Sequence, residues 1–193
     1  NNYRPISLLP TVSKIIERHI ANQLYEFIEK TGIIIQNQSG FRKHHSCQTA
    51  LIRIVDSWLN AMDEGNMIGT VFLDFKKAFD LVDHKILLHK LKLYHFSNVA
   101  LKFFESYLSN RTQIVATDGV SSNVLSVTSG VPQGSILGPL LFLFYLPLEL
   151  CSETDIYADE TTLHIKDRNK DVIQSNLQED LFKTQNWCKV NNM

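Results

Sequence analysis

The spacing of apolar residues along the chain predicts helices alternating with short strands. Apolar positions at intervals of three and four indicate helices over 11–30, 46–62, 83–94, 98–108 and 169–191. A continuous apolar run indicates a buried helix over 136–148. Ser46 and Asp83 can cap two of these helices, and Gly32 can end the first. We expect one face of the second helix to be core: Ala50, Leu51, Ile54, Val55, Trp58, Leu59 and Met62.

Stretches rich in β-favouring residues predict two places where strands carry acidic residues. The apolar stretches 154–158 and 161–165 flank Asp159 and Glu160, which indicates a strand, a tight turn and a strand. Two carboxylates on one turn repel each other unless a cation lies between them, so this turn is a candidate site for a divalent metal ion. The alternative is a solvated acidic turn, a common feature of proteins.

Asp74 ends a second apolar stretch, residues 71–73, that is typical of a buried strand. A buried carboxylate is costly without a partner or a metal, so Asp74 and Asp159 together predict a metal site built from two strands. Alternatively, Asp74 only caps the turn that follows it. Further along, the Gly- and Pro-rich stretch 129–139 opens the apolar helix, and such loops let the backbone approach a ligand closely. A weaker hairpin is expected around Asp118 and Gly119.

Composition adds a modest electrostatic signal. The chain has 193 residues, is 44% hydrophobic and has a net charge of −1, which is enough apolar content for one domain or two small lobes. Residues 1–53 carry seven Lys or Arg and three Glu, whereas residues 54–193 carry twelve Lys or Arg and seventeen Asp or Glu. A basic first part and an acidic remainder fit a phosphate-facing lobe and a metal-binding lobe.

Two function classes are disfavoured by the sequence. The three cysteines share no close spacing, so neither a zinc site nor a disulfide framework is expected. The longest apolar run, residues 140–146, is too short to span a bilayer, and no secretory leader begins the chain. We therefore expect an intracellular protein, in the nucleus or the cytoplasm, without a membrane partner.

Five ordered motifs together resemble the reverse transcriptase of non-LTR (LINE-type) retrotransposons. They are NYRPISLL at 2–9, QSGFRK at 38–43, FLDFKKAFD at 72–80, PQGS at 132–135 and YAD at 157–159. Each motif alone is weak, but five in this order, covering nearly the whole chain, are specific. Group II intron maturases and telomerase are rivals within the same enzyme class.

The resemblance implies an α+β fold with a polymerase palm of the split βαβ type, in which an antiparallel sheet carries helices on one face. Mostly helical, partial fingers would occupy 1–66 and the palm 67–193, with fingers elements interleaving at 83–130. The next palm motif and the thumb would follow Met193, so the thumb is expected to be absent from this chain.

The resemblance also implies roles for the metal-binding residues. Asp74 and Asp159 would be the two principal ligands of two Mg²⁺ ions, with Mn²⁺ as a substitute, and the carbonyl of Phe75 would add an oxygen. Glu160 stands where the family usually has a second aspartate, so its carboxylate reaches one methylene further. Because Mg²⁺ demands near-ideal geometry, a longer arm could misplace an ion.

Phe75 and five more residues match positions that contact the nucleotide. Arg4 and Arg42 would contact phosphate, since a guanidinium fork suits phosphate oxygens; each could instead be a surface arginine. Phe79 would exclude the 2′-hydroxyl of a ribonucleotide, or else be a core aromatic. Gln133 and Gly134 would line the pocket, or else form an ordinary turn.

The expected function is RNA-directed DNA polymerisation, in which dNTPs are transferred to the 3′-hydroxyl of a DNA primer on an RNA template. The alternative is a decayed or truncated copy of an element that folds, at best, as an inactive nucleic-acid-binding remnant. Glu160 and the low net charge favour that alternative, whereas the presence of Asp74, Phe79, Gln133 and Asp159 favours the enzyme. The sequence does not indicate an oligomeric state.

Overall fold

A computed structural model describes residues 6–34, 37–146 and 150–193. Arg4 and the end of the helix expected over 136–148 lie outside these residues. In chain order, the described elements are α1 Thr11–Thr31, α2 Cys47–Asp63, β1 Met67–Asp74, α3 Ala78–Leu81, α4 His84–Leu93, α5 Asn98–Leu108, β2 Thr112–Gln113, β3 Ala116–Thr117, β4 Val120–Ser121, β5 Leu125–Ser126, α6 Leu137–Tyr145, β6 Glu153–Tyr157, β7 Glu160–Asp167 and α7 Lys170–Val190. The α+β class expected from the sequence is confirmed.

The helix boundaries follow from local capping chemistry. Ser46 and Thr49 form a reciprocal capping box at the start of α2. Asp83 caps α4, where its carboxylate accepts hydrogen bonds from the backbone N–H groups of Ile86 and Lys85. The bond from Ile86 is the main reason that the pKa of Asp83 is lowered. Gly32, with a φ of 62°, stands just after α1.

The central sheet is antiparallel, with the strand order β1-β7-β6. One face is packed by α7, since a Cβ at Gly69 of β1 would meet the side chain of Ile173 at 2.1 Å. The other face is packed by α2, whose Trp58 ring meets the ring of His164 edge-on at 5.8 Å. Helices therefore cover both faces of this sheet, and the expectation of helices on one face is wrong, because the chain before β1 supplies a second helix to the sheet. Two short ladders, β2 with β5 and β3 with β4, form the expected hairpin around Asp118 and Gly119.

The chain divides into two compact units, each made from separate stretches. The first consists mainly of residues 6–23 and 77–145 and contains the apolar helix α6, whose residues are buried except for Pro139. The second consists mainly of residues 24–76 and 146–191 and contains the central sheet with α2 and α7. Within the described part of the chain, no helix is long and apolar enough to cross a bilayer.

Two burial predictions are wrong. Strand β1 is not buried: Asp74 is exposed and Phe72 is 74% exposed, because β1 is an edge strand and its face near Asp74 is open. Helix α2 buries only part of its apolar stripe: Ala50 is buried and Trp58 meets the sheet, but Leu51, Val55, Leu59 and Met62 are exposed. The side of α2 that meets the sheet also carries Arg53, Ser57 and Ala61, which lie four residues apart.

Candidate active site

The expected acidic hairpin is present, and its turn is tight. Strands β6 and β7 are joined by only Ala158 and Asp159, with Tyr157 and Glu160 as the first facing pair. Ala158 has a φ of 61°, a left-handed conformation that is unusual for a residue other than Gly, Asn or Asp. Such a conformation persists only where the surroundings impose it. At this turn it sets the direction of the backbone that carries Asp159.

Asp74 and Glu160 face each other directly across the β1–β7 ladder. Facing residues in an antiparallel pair have Cβ atoms about 4.5–5.5 Å apart and project from the same face of the sheet. The next residue pair on that face is Phe72 with Thr162, and the exposure of Phe72 shows that this end of the face is open. The fold therefore brings Asp74, Asp159 and Glu160 to one end of one sheet.

Among the residues that the structure describes, these three carboxylates lack cationic side chains as partners. Within the described residues, neither an ion pair nor a side-chain hydrogen bond engages any of them. Asp74 and Glu160 are exposed and Asp159 is half-buried, so packing leaves their rotamers free to adjust. Like charges placed so close together favour binding of a cation, and carboxylate oxygens are the ligands that Mg²⁺ prefers.

The three carboxylates are not gathered around one point. Across the described ranges, no group of three or more His, Cys, Asp or Glu side chains has an arrangement that could hold a metal. Phe75 follows Asp74 directly, and its ring packs against Trp187 with the ring centroids 5.9 Å apart. A backbone oxygen at that position would complement the carboxylates, so the donor set fits a hard divalent cation after side-chain rotation.

Arg42 lies in the loop that precedes α2, with a mostly buried side chain. One guanidinium nitrogen lies 3.4 Å from the carbonyl oxygen of Gln38, and another lies 3.7 Å from the carboxylate of Glu29. Its guanidinium is therefore held within this loop and against α1. The loop itself lies along β6, where a parallel bridge pairs Gln38 with Ile156.

Phe79, Gln133 and Gly134, three of the residues expected to bind the nucleotide, lie in the first unit. The loop that contains Gln133 is bonded to α3 and to the residue after it: Val131 N–H donates to the Phe79 carbonyl at 2.8 Å, and Gly130 N–H donates to the Val82 carbonyl at 2.8 Å. The Gln133 amide donates to a carboxylate oxygen of Asp80 at 2.9 Å. This bond fixes the orientation of the amide and leaves its oxygen available as an acceptor.

Phe79 is half-buried and stacks on Phe142 of α6, with ring centroids 4.5 Å apart and an interplanar angle of 28°. The stack holds the ring in place, as a steric gate requires. Gly134 has a φ of 102°, and a Cβ there would lie 2.9 Å from the carbonyl oxygen of Ser7. Ser7 N–H in turn donates to the Gln133 carbonyl at 2.7 Å, so Ile6 and Ser7 lie against this loop.

The sequence did not point to Glu17, a buried residue of α1 that supports the same loop. Its carboxylate accepts hydrogen bonds from the backbone N–H groups of Ile136 at 2.7 Å and Leu137 at 3.3 Å, at the start of α6. The Tyr107 hydroxyl donates to it at 3.3 Å. Burial raises the pKa of Tyr107 to about 12. The available signal was a charged residue in the buried stripe Glu17, Ala21, Leu24 and Ile28.

The family of the chain follows from comparison with known proteins. The model of the family described as reverse transcriptase (RNA-dependent DNA polymerase) matches residues 1–193. The chain belongs to the reverse transcriptase family. This membership confirms the resemblance inferred from the five motifs, and it does not favour the alternative of an inert remnant.

Three relatives from Drosophila melanogaster match almost the whole chain. The RNA-directed DNA polymerase from the mobile element jockey is 36% identical over 200 residues, which covers 98% of this chain and 22% of that protein. The probable polymerases from transposon X-element and transposon BS are 33% and 34% identical, and each match covers 97% of this chain and 22% of the relative. The chain therefore spans about a fifth of the length of these reverse transcriptases.

Solved telomerase structures from Candida tropicalis share the fold of this reverse transcriptase chain. The complex with the TWJ fragment of telomeric RNA superposes with a TM-score of 0.64 at 13% identity and covers 94% of this chain and 32% of that one. An apo form truncated from its C-terminal domain gives a TM-score of 0.58 at 13% identity, covering 92% of this chain and 37% of that one. These likenesses support the expected palm-and-fingers fold.

Proposed function

We propose that the full-length protein containing this chain is an RNA-directed DNA polymerase of a non-LTR retrotransposon, and that this chain supplies much of its palm and part of its fingers. Its substrates would be an RNA template, a DNA primer and dNTPs, and its site of action the nucleus or cytoplasm. The division into fingers at 1–66 and palm at 67–193 stays a prediction. The observation that carries the proposal is the placement of Asp74, Asp159 and Glu160 at one end of one sheet, with no cationic partner among the described residues.

Each carboxylate has a distinct place in the proposed mechanism. Asp74 and Asp159 are the principal ligands, Glu160 is an additional ligand facing Asp74, and the Phe75 carbonyl supplies a further oxygen. Two divalent cations, Mg²⁺ or Mn²⁺, would lower the pKa of the attacking 3′-hydroxyl and stabilise the leaving pyrophosphate when bound there. The open face beside Phe72 gives the primer end access to these residues.

Five side chains and backbone positions of the chain would bind the incoming nucleotide. Arg42 and Arg4 would contact its phosphates. Gln133, oriented by Asp80, would offer its free amide oxygen and remaining N–H, and Gly134 would let the backbone approach the sugar and base. The Phe79 ring, held by Phe142, would block the space that a 2′-hydroxyl needs.

The test is primer extension by the full-length protein on an RNA template with dNTPs and Mg²⁺. We expect Asp74→Asn and Asp159→Asn each to reduce extension by more than about 100-fold, since misplacing a reacting group by 1 Å already costs that much. Asp167→Asn is the matched control. Asp167 is the last residue of β7 and faces Met67, at the end of the β1–β7 ladder away from Asp74. Undiminished extension by both test variants would show that the carboxylates are not catalytic.

A further inference from the structure

Arg53 joins three structural elements in the second unit. It lies on α2, and its guanidinium forms an ion pair with Asp155 of β6, whose side chain is only 7% exposed. The same nitrogen donates to the carbonyl of Asn37 at 3.1 Å and lies 3.4 Å from the hydroxyl of Ser39. One side chain thus ties α2 to the hairpin strand and to the loop that lies along it.

That loop pairs with the edge of β6. Ser39 N–H donates to the Ile156 carbonyl at 2.8 Å, and Ile156 N–H donates to the Asn37 carbonyl at 3.1 Å. Because β6 has a strand neighbour only on its β7 side, these bonds satisfy the other edge of the strand over Ile156. The Asn37 carbonyl therefore accepts from both Ile156 and Arg53 and lies between the helix and the strand.

The loop is also in close contact with the turn that carries Asp159. A Cβ at Gly40 would lie 2.2 Å from the backbone nitrogen of Ala158, so only glycine allows this approach. Ala158 is the left-handed residue of the turn and directly precedes Asp159. Any displacement of the loop is consequently transmitted to the backbone that carries Asp159.

Asp155 is coupled to β7 as well. Its second oxygen lies 3.6 Å from Nδ1 of the buried His164, whose other nitrogen lies 3.1 Å from the carboxylate of Glu153. Burial would raise the pKa of Glu153, but hydrogen bonds and charge from Lys166, together with His164, outweigh burial and lower it. A polar network therefore runs beneath the hairpin from Arg53 to Lys166.

We propose that Arg53 and Asp155 are positioning residues for this reverse transcriptase, which set the loop over residues 37–43 and the turn carrying Asp159 relative to each other. The inference rests on the proposed function, in which Arg42 of that loop contacts the nucleotide and Asp159 is a metal ligand. The pair acts through backbone placement and touches no substrate.

Two variants separate a positioning role from a purely structural one. Replacing a buried ion pair with apolar residues of similar volume is often neutral or stabilising. A variant with Arg53→Met and Asp155→Leu can therefore keep the fold while it removes the bonds to Asn37 and Ser39. Arg53→Lys retains the charge opposite Asp155 but lacks the planar fork that reaches several acceptors at once.

The experiment compares these two variants with the parent in the full-length protein. The first readout needs neither a metal nor catalysis: the rate of limited tryptic cleavage after Arg42 and Lys43, which reports local opening of the loop. The second is steady-state primer extension, which separates KM for dNTPs from kcat. Lys166→Met is the matched control, because Lys166 also joins α2 to the hairpin strands, through Ser57 and Glu153, without touching the loop.

We expect the double variant to unfold at a temperature close to the parent's, to be cleaved about tenfold faster at the loop, and to have a raised KM for dNTPs and a lower kcat. Arg53→Lys should fall between it and the parent, and Lys166→Met should match the parent in both readouts.

Should the double variant not fold, the cleavage rate and KM of Arg53→Lys decide between the two roles. Parental values in the folded Arg53 variants, or equal changes in Lys166→Met, would overturn the proposal. The tryptic cleavage rate does not depend on polymerisation, so it tests the positioning role by itself. Failure of the proposed function would show separately, as an extension rate that Asp74→Asn does not change.

Discussion

Asp74 and Glu160 are directly facing partners in the last residue pair of the β1–β7 ladder. Asp159, the residue that the family motif marks as the principal ligand, lies one position earlier, in the turn. Adjacent residues in a hairpin point in different directions. The carboxylate that shares a face with Asp74 is therefore the one that is a methylene longer than the family usually has.

Glu160→Asp is expected to raise the polymerisation rate and to lower the Mg²⁺ concentration needed for half-maximal extension. The shorter side chain restores the carboxylate position typical of the family, and a misplacement near 1 Å can cost about 100-fold in rate. Asp159→Glu should instead abolish activity. Steady-state extension across a Mg²⁺ titration compares both with the parent. Equal rates for the parent and Glu160→Asp would mean that the glutamate is simply tolerated.

Phe79→Ala is expected to admit ribonucleotides, lowering the preference for dNTPs over rNTPs by about tenfold or more. The same change removes the stack on Phe142 and will also cost stability. Phe104→Leu is the control for that cost, because Phe104 is buried in the same unit and packs against Phe96 and Phe103. If sugar discrimination is unchanged in Phe79→Ala, the ring is structural only.

Glu17→Leu is expected to destabilise the first unit. It leaves the N–H groups of Ile136 and Leu137 without their acceptor, at a cost of roughly 1–3 kcal/mol for each buried donor. Glu17→Gln keeps one acceptor oxygen and should lose less. Urea unfolding measures both losses, with Glu26→Leu at an exposed position of α1 as the control. A stability of Glu17→Leu equal to that of Glu26→Leu would refute the capping role.

Lys90 gives an expected dependence of stability on pH. Burial lowers the pKa of Lys90 to about 8, well below the 10.5 of an unfolded chain. Between pH 8 and 10.5 the unfolded state binds more protons, so folding becomes more favourable as the pH rises through this window. Lys90→Met removes this titration. From pH 7 to 10, the unfolding temperature of the parent should rise relative to that of Lys90→Met. Lys92→Met, at an exposed position, should show the same pH dependence as the parent. A constant difference across that range would contradict the shift.

Local patterns were enough to predict most elements of the fold. Stretches rich in β-favouring residues on both sides of an acidic turn predicted the β6–β7 hairpin, and helical periodicity together with caps such as Ser46 and Asp83 predicted α1, α2, α4, α5 and α7. These signals depend on residues within a few positions of each other. The register that places Asp74 opposite Glu160 is set by the pairing of two strands that are distant in the chain, and no local pattern shows it.

Contacts between distant parts of the chain could not be predicted in this way. Glu17 and Ile136 are 119 residues apart, and Arg53 and Asp155 are 102 apart, so neither partner marks the other in the sequence. The apolar stripe of α2 predicted the buried face only in part for a related reason. Its sheet-facing side includes Arg53, paired with Asp155, and Ser57, in contact with Lys166, and hydrophobic periodicity does not register such polar contacts.

The most direct test of the central claim is a crystal structure of the protein soaked with Mn²⁺, with the ions located by anomalous scattering. The account predicts at least one ion bound by carboxylate oxygens of both Asp74 and Asp159, with Glu160 on the same side of the sheet. Two ions, if present, should lie about 3.5–4 Å apart. Carboxyl groups of Asp74 and Asp159 that stay more than about 8 Å apart, or ions bound elsewhere only, would contradict it.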